Sequence, residues 1–131
     1  MEAMICLDTG AAIDILRKKE VIIWLNSLSS ESVVFITPIT LFEIYRGIYL
    51  GSRIEEELKD FEEMLEYLEI IPLTQFHMHE AARTSVELQK KGISLDIRDL
   101  LIGICAREEG CVLKTRNRKH FVDIPELKLI D

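Results

Sequence analysis

No apolar run in this 131-residue chain approaches the roughly 20 residues that a membrane helix needs, so no membrane-spanning segment is expected. Glu2 stands where a secretory leader would carry basic residues before an apolar stretch, and no leader is expected either. Cysteine is scarce. Cys6, Cys105 and Cys111 are the only 3, they lie inside apolar segments, and they lack metal-ligand spacing. An odd number of such thiols points to a reducing cytoplasm and to packing roles. Glycine-rich phosphate loops are also missing: neither GxGxxG nor GxxxxGK followed by Ser or Thr occurs, so dinucleotide and P-loop chemistry lose their fingerprint. Positive charge is not in excess. With 16 Lys and Arg against 23 Asp and Glu, the formal net charge is -7, which argues against a general nucleic-acid binder. It leaves room for a nuclease, because bound divalent cations reverse the local electrostatics.

What is present is the composition of a soluble globular protein, 48% hydrophobic and 30% charged, on a length that fits one domain over residues 1–131. Much of the acidity is local. Glu55, Glu56, Glu57, Asp60, Glu62, Glu63, Glu66 and Glu69 crowd one segment, as on the solvated face of a helix.

Met4–Leu7 is a short apolar run ending at Asp8 and predicts a buried strand. A short helix is expected over Ala11–Leu16 and a second over Lys18–Leu28, followed by a β-branched strand over Val33–Ile36. Thr37-Pro38 is a helix start, cap then first-turn proline, for a helix running to Gly51 with Glu43 in its second turn. Arg53–Tyr67 has amphipathic helical spacing, and Glu69–Leu73 is a third strand carrying a proline. A helix over Phe76–Lys91 stops at Gly92. Asp96 and Asp99 open a nearly all-apolar helix, with Gly103 and Ala106 for close packing, which turns at Gly110. Val112-Leu113 is the next strand, a polar loop with Thr115, Arg116, Asn117 and Arg118 follows, and Leu127–Ile130 is the last strand. Strands alternating with helices predict an α/β domain with a mainly parallel sheet of about 4–5 strands.

In an open α/β sheet, ligands bind at the carboxyl ends of the strands. Asp8 ends the first strand, Glu43 is on the helix leaving the second, Asp99 begins a helix, and Asn117 follows a strand. Four oxygen-bearing side chains are therefore expected on one sheet edge, where a hard cation such as Mg²⁺ or Mn²⁺ relieves carboxylate repulsion. His77 and His79, two apart on a helix, point to different sides and are not expected to share a metal. His120, in the polar loop, is a weaker candidate for substrate phosphate.

Three stretches together resemble a PIN domain of the VapBC toxin type: ICLDTGAAIDIL, ITPITLFEIYRGI and DLLIGICAREEGCVLKTRN. They match the family's first strand with its Asp-Thr turn, its Ser/Thr-x-x-Thr-x-x-Glu helix, and its Asp-x-x-Ile-(small) helix with a Thr-Arg-Asn loop. The resemblance covers nearly the whole chain. It implies a PIN-like fold and a metal-dependent ribonuclease that hydrolyses RNA phosphodiester bonds. It also implies Asp8, Glu43 and Asp99 as the core acids holding Mg²⁺ or Mn²⁺, with Asn117 in the fourth position, where many members have Asp. Asp96 is a possible substitute ligand. Gly10 stands where Asn or Ser is common, and His120 where an Asp often precedes the loop Phe. A neutral fourth residue weakens a second metal site. Arg46, Arg116, Arg118 and Lys119 are candidates for phosphate contact. The resemblance further implies a cognate antitoxin that covers the acidic site and homodimers packed through helices. Two rival readings stand beside it: an RNA-processing or DNA-directed nuclease of the same fold, and a non-catalytic PIN-like module that binds RNA or protein. Such modules usually lack several site acids, and this chain keeps at least three.

Overall fold

The computed structural model describes residues 3–18, 28 and 31–131. Met4–Leu7 forms β1, and Asp8 turns the chain directly into α1 (Thr9–Lys18), somewhat longer than the expected Ala11–Leu16. Asp8 Oδ1 accepts the Ala11 backbone N–H at 2.7 Å, the bond of a helix N-cap, which is why the helix starts so close behind the strand. The helix expected over Lys18–Leu28 lies, between its end residues, outside the described residues.

Val33–Ile36 forms β2, and α2 follows at Pro38–Leu50. The Thr37 hydroxyl caps it by accepting the Thr40 N–H, and Pro38 occupies the first turn, where its missing N–H costs nothing. In α3 (Ile54–Leu65) Phe61 and Met64 are buried while Glu55, Glu56, Glu62 and Glu63 are exposed, so the glutamate run is a solvated face. β3 is only Glu69–Ile70. It stops short of Leu73 because Pro72 has no N–H for the ladder.

Thr74 caps α4 (Gln75–Lys90) in a reciprocal box with His77, and Gly92, at φ 78°, follows its end. Asp96 caps α5 (Ile97–Glu108), accepting the Arg98 N–H at 2.8 Å. β4 (Val112–Lys114), a 3-10 turn at Arg118–His120, and β5 (Leu129–Ile130) complete the described elements; β5 starts two residues later than expected.

The five strands pair in the order β3-β2-β1-β4-β5, all parallel. Alternation along the strands supplies two cores. Ile5, Leu7, Val34 and Ile36 pack on one face against α1, α2 and α3 through Ala12, Ile15, Ile44, Ile48 and Phe61. Cys6 and Leu113 pack on the other against α4 and α5 through Ala81, Leu100, Ile104 and Cys105. The three cysteines are free and buried; burial, then Glu109, pushes the Cys105 thiol up to about 12 and Cys111 up to about 11, so they behave as packing groups. Among the described residues no helix is long and apolar enough to cross a membrane. The strand order reverses between β1 and β4, and a parallel sheet opens a crevice at the carboxyl edge of such a reversal.

Candidate active site

Asp8 sits at that reversal, immediately after β1. It is buried, with 5% of its surface exposed, and a buried carboxylate needs hydrogen bonds to offset lost hydration. Ala11 N–H supplies one, to Oδ1, and the Thr115 hydroxyl supplies another, to Oδ2 at 2.5 Å. Thr115 is fully buried just beyond β4, and its Oγ1 also accepts the Asn117 N–H at 2.9 Å. The residues flanking the reversal are thus tied to each other, and the loop carrying Asn117 hangs from the same hydroxyl.

Glu43 reaches the same place from α2. Its Oε1 accepts from the Thr9 hydroxyl at 2.8 Å, and Thr9 Oγ1 lies 3.0 Å from Thr40 Oγ1. A hydroxyl has one proton, so Thr9, donating to Glu43, must accept from Thr40. The chain Thr40 to Thr9 to Glu43 fixes one carboxylate oxygen and leaves Oε2 facing outward, where Arg98 Nη1 donates to it at 3.1 Å.

Asp99, in the first turn of α5, is partly buried, and its Oδ2 lies 3.2 Å from His120 Nδ1. Burial pushes its carboxyl up from the ordinary range; His120 opposes this, and the negative charges of Asp96, Asp8 and Glu43 add to it. Asp96, Asp8 and Glu43 are thus near enough for their charges to act on Asp99. Asp96 is otherwise employed. It caps α5 and its Oδ2 accepts from Arg98 Nη2 at 3.2 Å, and these bonds hold its carboxyl below the usual range.

Asp8, Glu43, Asp99 and Asn117 line one cavity of about 280 Å³, with Thr9, Asp96, Arg98 and His120 completing its polar wall. Hard oxygen donors of this kind suit Mg²⁺ or Mn²⁺ rather than a soft metal. Among the described residues no three His, Cys, Asp or Glu side chains already close on one point as a metal cage. Instead Glu43 Oε2 accepts from Arg98, and Asp99 Oδ2 lies 3.2 Å from His120 Nδ1. The donor chemistry of the cavity fits a hard cation.

The four cations expected at phosphate are placed differently. None of Arg46, Arg116, Arg118 and Lys119 lines the acidic cavity. Arg116 Nε is 2.7 Å from Asp14 Oδ2 on α1, and Arg118 Nε is 2.9 Å from Asp131 Oδ1. Arg46 and Lys119 are exposed. The cation in the cavity is Arg98, which sequence reasoning passed over because Asp-Ile-Arg-Asp has the look of an ordinary helix start. Thr9, Thr40 and Thr115 belonged to the quoted motifs, but nothing local to them signalled that their hydroxyls hold carboxylates. His77 and His79 do part company: His77 is buried on Thr74 and Glu109, and His79 is exposed beside Glu80.

The PIN domain family model matches residues 5–127. The chain is 31% identical over 137 residues to ribonuclease VapC1 of Methanocaldococcus jannaschii, covering 99% of this chain and 89% of that protein. It is 30% identical over 105 residues to ribonuclease VapC2 of Rickettsia felis, covering 80% and 78%. Among solved structures, VapBC2 from Rickettsia felis bound to a promoter DNA fragment superposes with a TM-score of 0.88, at 27% identity over 97% of each chain. DNA-bound VapBC from Salmonella typhimurium gives a TM-score of 0.88, at 26% identity over 98% of each. With its acids gathered at the sheet reversal and its whole length matched in this way, the chain belongs to the PIN-domain family, among the VapC ribonucleases of VapBC toxin–antitoxin systems.

Proposed function

We propose that the acidic cavity is the catalytic centre of a divalent-metal-dependent endoribonuclease, with Asp8, Asp99 and Glu43 as the metal-holding acids. The observation that carries this reading is the convergence of Asp8, Glu43, Asp99 and Asn117 from four separate elements on one cavity at the sheet reversal. Mg²⁺ or Mn²⁺ held there would acidify a bound water and offset charge on the phosphate oxygens. The protein's own part is positioning. Thr115 and the Ala11 N–H hold Asp8 in one orientation, and Thr9 holds Glu43 by Oε1. Glu43 Oε2 is then the oxygen left to hold the metal, and through it Glu43 would orient the metal's bound water. Asn117 contributes a neutral oxygen or amide donor, so the fourth corner carries no charge.

The same reading assigns two partners. A groove of about 210 Å³ between α1, α2 and α3 is lined by Ile13, Leu16, Ile44 and Ile48, and it shares Glu43 with the acidic cavity. A cognate antitoxin segment lying in that groove would cover the site. One structural relative, from Klebsiella pneumoniae, is a toxin–antitoxin complex. A second copy of this chain is the other partner, and Phe42, Tyr49 and Leu50, all exposed on α2, are apolar surface available for it.

The decisive experiment is Asp99→Asn beside wild type, measuring melting temperature and Mg²⁺- or Mn²⁺-dependent cleavage of RNA and of DNA of the same sequence. The mutant should melt no lower than wild type without metal, because a charge that burial disfavours is gone, while RNA cleavage falls by orders of magnitude. Undiminished cleavage by a folded mutant would remove Asp99 from the site, and cleavage of DNA alone would change the substrate.

A further inference from the structure

Among the described residues, Arg98 is the single arginine or lysine on the wall of the acidic cavity. Its guanidinium is divided between two acids. Nη1 donates to Glu43 Oε2 at 3.1 Å, while Nε and Nη2 donate to Asp96 Oδ1 and Oδ2, each at 3.2 Å. The two ends of this arrangement differ. Asp96 and Arg98 are neighbours on one helix start, so their fork forms without help from the fold. Glu43 comes from α2, 55 positions away, and its other oxygen is already fixed by Thr9. Arg98 therefore neutralises the one carboxylate oxygen of Glu43 that points outward from its threonine anchor. Its side chain is 59% exposed, and its two bonds to Asp96 hold it at the cavity mouth.

We propose that Arg98 is a phosphate-binding residue that substitutes for the metal at Glu43 until the metal arrives. This rests on the metal-dependent reading of the cavity. In the metal-free protein the guanidinium holds Glu43 Oε2, and a divalent cation bound in the cavity would compete with it for that oxygen. With that oxygen given over to a cation, Arg98 would lose its bond to Glu43, keep its fork on Asp96, and present its remaining donors to the RNA phosphate entering the cavity. An arginine suits this exchange because its planar fork pairs equally with carboxylate and with phosphate. The structure also accounts for the positions of Arg116 and Arg118, which are engaged by Asp14 and Asp131 and leave Arg98 as the cation at the chemistry.

The test is Arg98→Gln and Arg98→Lys beside wild type, with Mn²⁺ as the probe. Mn²⁺ affinity is measured first without RNA, by titration calorimetry or by electron paramagnetic resonance of free Mn²⁺. Removing the competitor should tighten Mn²⁺ binding in Arg98→Gln by about two- to fivefold, the size of one partly exposed ion pair. Steady-state cleavage at saturating Mn²⁺ should then show KM for RNA raised about tenfold, as for a lost charge-assisted hydrogen bond, with kcat changed much less. Arg98→Lys should recover part of the KM. Equal or weaker Mn²⁺ binding by Arg98→Gln, or an unchanged KM, would overturn the role of Arg98 while leaving the metal site standing. Failure of all three proteins to bind Mn²⁺ would overturn the metal reading of the cavity itself, and the exchange with it.

Discussion

The Thr115 hydroxyl donates to Asp8 Oδ2 at 2.5 Å, joining residues 107 positions apart across the point where the sheet order reverses. Both groups are buried, so water has little access to replace the bond. Thr115→Val keeps the shape and deletes the donor. It should cost about 1–3 kcal/mol in urea unfolding, the cost of a buried carboxylate oxygen left short of a partner. Metal-dependent cleavage should fall too, because Asp8 loses one of its two fixed bonds. A mutant as stable and active as wild type would show that the helix cap alone positions Asp8.

Acid should reach the site first, where burial raises the Asp99 carboxyl, and weaken the α4–α5 contact only at lower pH. Glu80 is held at about 2 by hydrogen bonds from Arg83 and then from His79, and Arg107 on α5 lies 3.7 Å from its Oε1. A carboxyl lowered in the folded state stabilises above its unfolded range, and that contribution is lost as pH falls toward the folded value. Glu80→Gln should therefore melt below wild type at pH 7, and the gap should close between about pH 4.5 and pH 2. Melting curves across that range check it; a gap that persists at pH 2 would mean that the carboxylate charge is not its source.

Gly103 sits where α5 meets the 121–127 segment. A Cβ there would collide with the Ile124 Cδ1 and lie 3.2 Å from a Leu127 methyl. Alanine gains about 1 kcal/mol of helix propensity over glycine. Overpacking a filled core loses about 1–3 kcal/mol, and Ile124, 2% exposed, has little room to move. The loss should win: Gly103→Ala should lower stability by about 1 kcal/mol, and Gly103→Val by more. Chemical denaturation reads both, and a stabilised alanine mutant would show that Ile124 adopts another rotamer freely.

The acidic face of α3 stands apart from the acidic cavity. Glu56 and Glu63 are exposed, and neither lines the acidic cavity. The double change Glu56→Lys and Glu63→Lys should leave RNA turnover within a few-fold and alter stability only slightly, since surface pairs such as Arg53–Glu56 contribute at most about 1 kcal/mol. A hundredfold loss of turnover would place the reacting atoms elsewhere.

Much of the fold was legible because its signals are local. Thr37-Pro38 starts α2 as its cap chemistry requires, Gly92 and Gly110 follow helix ends at positive φ, and β1 and β2 have the expected bounds. Where bounds moved, a neighbour decided: Pro72 cut β3 to two residues, and the Asp8 side chain drew the start of α1 back to Thr9. The strand-end rule also brings Asp8, Glu43, Asp99 and Asn117 together from sequence alone, because backbone topology governs where a strand ends.

The sequence by itself determined the alternation of strands and helices, the caps that start α2 and α5, and the acids that stand at the carboxyl edge. These follow from periodicity and from bonds spanning three or four residues. Only the tertiary structure decided which charges meet. Arg98 pairs with Glu43 across 55 positions, while Arg116 and Arg118 turn to Asp14 and Asp131. A long side chain reaches in many directions at little cost, so its partner is whichever opposite charge the folded backbone brings within reach. The buried threonines follow the same logic. Thr9, Thr40 and Thr115 are unremarkable in the chain, and they become carboxylate anchors because packing excludes the water that would otherwise serve.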